Sequence, residues 1–167
     1  NLFALYYLLD EKMVELGLMP SLDVAKVGYT FSIREGLITQ LSSIQPGNDI
    51  EEAHMLANQM IAEWCYEKGQ ADNVISMIQK EGKTYVVIND YIKLRDLFGR
   101  LLKEVQRIKS EGDYAAGKDL IEKYGIKVDR KLNEEVLARY EKLKLVPYIG
   151  FVNPKYTPVY ENGTIAD

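Results

Sequence analysis

Apolar residues recur at helical spacing along most of the chain, and this pattern predicts a mainly helical protein. Residues 2–17 predict a first apolar helix that ends at Gly17. Ser21 or Asp23 would then cap a second helix that runs to about Ser43.

A third amphipathic helix is predicted between Asp49 and Gly69. Asp49 would cap it, and Glu51 and Glu52 would occupy its first turn, where the helix dipole favours acidic side chains. Its apolar residues fall on one stripe at helical spacing: Ile50, Ala53, Ala57, Met60, Ile61, Trp64 and Cys65.

The pattern changes to β-branched runs at residues 74–78 and 84–88. The polar segment between them contains Gly82, which suits a tight turn. We therefore predict a small β-hairpin insertion over about residues 74–88.

Helical spacing returns after the hairpin. Asn89 or Asp90 would cap a long helix that reaches about Lys109. Its predicted core face consists of Ile92, Leu97, Leu101, Leu102, Val105 and Ile108. A short helix is predicted from Gly112–Asp113 through Tyr124, and a last one over Lys131–Leu143.

From residue 146 onward, prolines alternate with aromatic residues, which predicts an extended tail that lies against another surface. Residues 160–167 resemble a hairpin turn whose second strand is cut short. The predicted fold class is mainly α: a multi-helix domain at 1–145 with a small β-hairpin insertion, and an extended, truncated tail at 146–167. Both ends look cut, so we expect a fragment of a larger protein.

Composition narrows the function classes. The chain is 47% hydrophobic and 28% charged, as globular proteins are, and its net charge of −4 argues against a nucleic-acid partner. No apolar stretch approaches the roughly 20 residues that span a bilayer, so no membrane partner is expected. The single cysteine, Cys65, fits a reducing compartment, and we expect a cytoplasmic protein.

Candidate chemistry centres on one histidine, His54. With one histidine and one cysteine, and without the usual zinc spacings, no metal site is predicted within this chain. Helical spacing places His54 at the margin of the core, partly shielded, with Asn58 one turn later. This position fits either a structural histidine or a histidine that acts in acid–base catalysis or stabilises an oxyanion. Cys65, between Trp64 and Tyr66 on the apolar stripe, is predicted to be a buried, inert thiol.

The chain resembles the dipeptidyl peptidase III family of zinc-dependent exopeptidases, specifically the C-terminal part of its catalytic lobe. Four stretches carry the resemblance in order and spacing: Leu2–Leu8, the Arg-x-Gly-Leu segment at Arg34–Leu37, the x-Ala-His-Met-x-Ala helix at Glu52–Ala57, and the Lys-Ser-x-Gly-Asp turn within Lys109–Gly117.

The resemblance implies that His54 is the histidine that faces the catalytic cleft and stabilises the tetrahedral intermediate of peptide hydrolysis. Asn58 stands where some members carry an arginine, and Lys155 stands where others place a substrate-contacting arginine. The resemblance thus implies substrate contacts at Asn58 and Lys155, although lysine cannot form the bidentate hydrogen bonds that arginine forms with a carboxylate.

The chain also departs from the family pattern. It lacks the His-Glu-x-x-Gly-His motif that supplies two zinc ligands and the general base, and the acidic motif with the third ligand would end at or before Asn1. We therefore expect zinc and a peptide substrate in the parent protein, and neither bound zinc nor activity in the isolated chain. The alternative function is a non-catalytic helical scaffold or protein-interaction domain.

Overall fold

The computed structural model describes residues 1–144, 157–162 and 164–165. These residues contain seven α-helices: α1 (Leu2–Leu8), α2 (Glu11–Glu15), α3 (Leu22–Leu37), α4 (Ala53–Lys68), α5 (Tyr91–Glu111), α6 (Tyr114–Tyr124) and α7 (Arg130–Leu143). Short 3-10 helices lie at Thr39–Ser43 and Gln70–Asp72. Strands β1 (Ile75–Lys80) and β2 (Lys83–Ile88) separate α4 from α5. The prediction of a mainly helical fold with a small β-hairpin is confirmed. No helix in the described ranges combines the length and apolar character needed to cross a bilayer.

The hairpin has the turn that its sequence predicts. β1 and β2 pair antiparallel, with Lys80 opposite Lys83. Glu81 and Gly82 between them adopt φ values of 53° and 70°, the left-handed conformation of a two-residue turn that matches the twist of the strands. Thr84 of β2 donates its N–H to Glu135 of α7 over 2.7 Å, so the hairpin is attached to the last helix.

The prediction of one continuous helix over residues 2–17 is wrong, because the helix is interrupted between α1 and α2. Asp10 accepts the N–H of Lys12 over 3.0 Å and so caps α2, and its other oxygen accepts from Arg95 of α5 over 2.6 Å. A cap and a long-range ion pair at one residue thus interrupt a run that is apolar enough to continue.

Two helix boundaries around residue 45 also differ from the prediction. α3 ends at Leu37, and the backbone tightens into the 3-10 helix Thr39–Ser43. α4 begins four residues after Asp49, which pairs with Lys127 and Arg130 over 2.9 and 2.6 Å instead of capping. Ile50 is buried and donates its N–H to Ile126 over 3.0 Å, so an extended segment is held where a first turn was predicted.

The core face of α5 differs in part from the predicted one. The buried residues of this helix are Leu94, Leu97, Phe98 and Leu101. Ile92 is 65% exposed, because it lies on the opposite side of the first turn from Leu94. Asp90 caps the helix by accepting from Ile92 and Lys93, which confirms one of the two predicted caps.

The centre of the core joins α1, α3 and α5. Tyr29 of α3 is fully buried, meets Phe98 edge-on at 5.0 Å and donates its hydroxyl to the Leu5 carbonyl over 2.7 Å. Burial raises the pKa of Tyr29 to about 12, so its hydroxyl stays a donor. Cys65 is also fully buried, and burial raises the pKa of its thiol, which confirms the prediction of a buried thiol.

Three buried carboxamide side chains connect segments distant in sequence. Each donates its NH₂ group to two main-chain carbonyls: Gln40 to Gly36 and Met55, Gln59 to Gly125 and Lys127, and Asn133 to Leu41 and Ile44. Gln59 and Asn133 therefore hold α4 and the 3-10 helix Thr39–Ser43 against the segments around α6 and α7.

The predicted tail can be compared with the structure only in part. Strands β3 (Tyr160–Glu161) and β4 (Thr164–Ile165) pair antiparallel, as the turn-like sequence predicts. Lys155 and the other residues of 145–156 lie outside the described ranges. The proposed boundary between a helical domain and a tail stays a prediction.

Candidate functional site

The N-terminus of α4 carries the candidate histidine, and Glu52 caps this helix. One oxygen of its carboxylate accepts the N–H of His54 over 3.0 Å, and the other accepts the N–H of Met55 over 2.8 Å. The hydrogen bonds from the backbone and ring of His54, and then from the Met55 backbone, lower the pKa of Glu52 to about 2. Glu52 is therefore a carboxylate at any pH near neutral.

The same carboxylate contacts the imidazole ring. Nδ1 of His54 lies 2.8 Å from the Glu52 oxygen that also accepts the His54 N–H, whereas Nε2 has no partner among the described residues. The side chain of His54 is 88% exposed, so the prediction of a partly shielded ring at the core margin is wrong. The expected polar neighbour exists, but it is Glu52 rather than Asn58.

Asn58 lies one turn after His54, beside a small surface pocket. The pocket has a volume of about 280 Å³ and lies between α1, α3 and α4. Phe31, Glu35 and Ile61 contribute to its wall together with Asn58. Asn58 accepts a long hydrogen bond of 3.5 Å from the side chain of Asn1. Asn58 therefore follows His54 by one turn of α4, while Lys155, the other predicted substrate contact, lies outside the described residues.

Close backbone packing fixes where this part of α4 lies. Gly36 of α3 faces α4 so closely that a Cβ there would come within 2.6 Å of the Ala62 Cβ, and nearer still to the carbonyl oxygen of Asn58. Only glycine permits such an approach. The Arg34–Leu37 segment therefore acts in the structure by letting α3 and α4 cross at short distance.

The described residues do not fit a zinc ion. No group of three or more histidine, cysteine, aspartate or glutamate side chains in these ranges could hold a metal. His54 has one carboxylate neighbour, and Cys65 lies in the core. Any zinc would have to be held by residues other than those described, and His54 with its neighbours can supply hydrogen bonds and charge.

Comparison with known proteins adds to the geometry. No family model matches the chain. Among curated proteins, it is similar to dipeptidyl peptidase 3 of Nematostella vectensis, with 30% identity over 108 residues. The match covers 61% of this chain but only 15% of the relative, so the chain spans a small part of that protein's length. The name of this relative is that of the family which the four sequence segments resemble.

Sequence reasoning missed two residues of the site. The sequence pattern predicts Glu52 in the first turn, whereas the structure shows it as the cap of α4 and the partner of the His54 ring. Gln40 was not singled out at all. Its signal would have been a polar side chain close to Leu37, Ile38 and Leu41, but that pattern does not reveal which carbonyls the side chain contacts.

Proposed function

We propose that this chain is part of a zinc-dependent exopeptidase of dipeptidyl peptidase III type, in which it forms one wall of the cleft and supplies His54. Two findings support this proposal: the similarity to dipeptidyl peptidase 3 and the placement of His54 at an exposed helix start. The observation that carries it is the Glu52–His54 contact, which holds Nδ1 and leaves Nε2 directed to solvent.

The geometry suits stabilisation of a developing oxyanion. Donation to that oxygen requires a proton on Nε2, and with a proton also on Nδ1 the ring is an imidazolium whose counter-charge is Glu52. The Glu52 carboxylate favours one orientation of the ring before the substrate arrives, which reduces the reorganisation needed during the reaction. In this proposal Asn58 and Lys155 contact the peptide substrate, and the zinc ion is held by other segments of the parent.

The direct test replaces His54 by alanine in the full-length parent. Loss of one oxyanion donor typically lowers kcat by about 100-fold or more, and we expect such a loss with zinc content unchanged. Lys68→Ala, an exposed position at the far end of the same helix, serves as the control and should keep wild-type kinetics. Unchanged kcat in the His54→Ala enzyme would refute the role of His54.

A helical interaction module is the second candidate, favoured by an exposed apolar stripe on α3. Val24, Val27 and Phe31 are 48%, 68% and 56% exposed and share one face of the helix. The same stripe would suit packing against the rest of a longer parent chain. The sequence that precedes Asn1 discriminates the two, because a His-Glu-x-x-Gly-His segment there supports the peptidase and its absence supports the scaffold.

A further inference from the structure

Gln40 links the turn that carries His54 to the end of α3. Gln40 is 4% exposed, and its Nε2 donates to the Met55 carbonyl over 3.2 Å and to the Gly36 carbonyl over 3.3 Å. Met55 directly follows His54 in α4. A single buried amide therefore joins the first turn of α4 to Gly36, where α3 lies close against α4.

The orientation of this amide is set by its partners. Both hydrogen-bond partners are carbonyl oxygens, so the NH₂ group must face them, and Oε1 is left buried without a partner among the described residues. An acceptor left unpaired in this way opposes folding. An apolar side chain at position 40 would avoid that cost but would also lose both donated hydrogen bonds. The unpaired acceptor thus offsets part of what the two hydrogen bonds contribute to stability, and we assign the amide mainly a role in geometry.

We propose that Gln40 is a positioning residue for His54, an inference that rests on the proposed function. Gly36 sets the distance between α3 and α4, and Gln40 prevents the first turn of α4 from sliding or rotating against α3. Glu52 then aims the imidazole from that turn. Loss of the amide would displace the ring of His54 without removing any group that contacts the substrate.

The test is a double-mutant cycle in the full-length peptidase with Gln40→Met, which keeps an unbranched side chain of similar length but has no donor. We expect kcat to fall about tenfold or more, because small displacements of catalytic groups cost that much, with KM and zinc content nearly unchanged. In the His54→Ala background the same substitution should change kcat less than twofold. A merely structural role would lower kcat equally in both backgrounds.

The matched control is Gln59→Met, which removes an equally buried amide that holds α4 to residues 125–127 and not to α3. It should lower stability without the loss of kcat that depends on His54. Should Gln40→Met fail to fold, Gln40→Asn carries the test, because its shorter amide cannot reach both carbonyls. Unchanged kcat, or an equal loss with and without His54, overturns the inference. If His54→Ala is itself without effect, the proposed function has failed instead.

Discussion

Glu52 connects helix stability to the candidate chemistry at one position. Its carboxylate caps α4 through two N–H groups and contacts the imidazole of His54. Glutamate is not among the preferred capping residues, so its use here suggests that the ring contact is part of its role. A change at Glu52 should therefore affect both the helix and the histidine.

We predict that Glu52→Gln lowers the thermal stability of the chain in a pH-dependent manner. The pKa of Glu52 in the folded chain is about 2, below its ordinary value of 4.5. A lowered pKa means that the stabilising contribution is complete above about pH 4.5, declines as the pH falls and is lost once the pH passes about 2. The difference in melting temperature between wild type and variant, followed by circular dichroism, should shrink over that range. A difference that is constant from pH 6 to pH 2 would contradict the prediction.

Residue properties that depend on local pattern could be predicted, and those that depend on distant partners could not. Cys65 lies on an apolar stripe, and its burial follows from helical spacing alone. The exposure of His54 was mispredicted because α4 starts at Ala53, which puts the ring at the helix end beyond its packed face. The roles of Gln40 and Asn133 depend on carbonyls 15 and about 90 residues away in sequence.

At the scale of elements, the crossing of α3 and α4 depends on Gly36. We predict that Gly36→Ala destabilises the chain by about 1–3 kcal/mol, because the added methyl group meets a helix backbone that cannot move aside. That cost should exceed the gain of about 1 kcal/mol in helix propensity. The free energy of unfolding from urea titration measures it.

Gly28→Ala is the matched control in the same helix. Its added methyl group would meet only the side chain of Leu8, at 2.7 Å, and that side chain can change rotamer. The two variants share the propensity gain, so their difference isolates the helix crossing. Equal stability of the two variants would show that the crossing tolerates a side chain.

Where the sequence displays the capping or turn residues of an element, its boundaries could be predicted to within a few residues. The hairpin, α5, α6 and α7 have caps or turn residues that the sequence displays, such as Asp113 at the start of α6. The division of the first predicted helix and the late start of α4 follow instead from Asp10 with Arg95 and from Ile50 with Ile126. Such tertiary contacts override local helix propensity, and they cannot be recognised from the periodicity of hydrophobic residues in the sequence.

At the scale of the whole molecule, we predict that the isolated chain binds no stoichiometric zinc and cleaves no peptide. The described residues offer no ligand set, and the chain corresponds to only 15% of its curated relative. Metal analysis after zinc loading and desalting, together with a dipeptide-release assay, measures both properties. One tightly bound zinc ion per chain would contradict the prediction.

The contact between the hairpin and α7 has a consequence for self-association. A hairpin edge ordinarily offers unpaired N–H and C=O groups to which a strand of another molecule can add. At Thr84 both groups are already occupied, because Glu135 accepts the N–H and Arg139 donates to the carbonyl over 2.8 Å. An incoming strand would have to displace a charged pair to extend the sheet there. The ends of two side chains thus block strand addition at this end of β2, as a covering helix or an added proline does in other proteins.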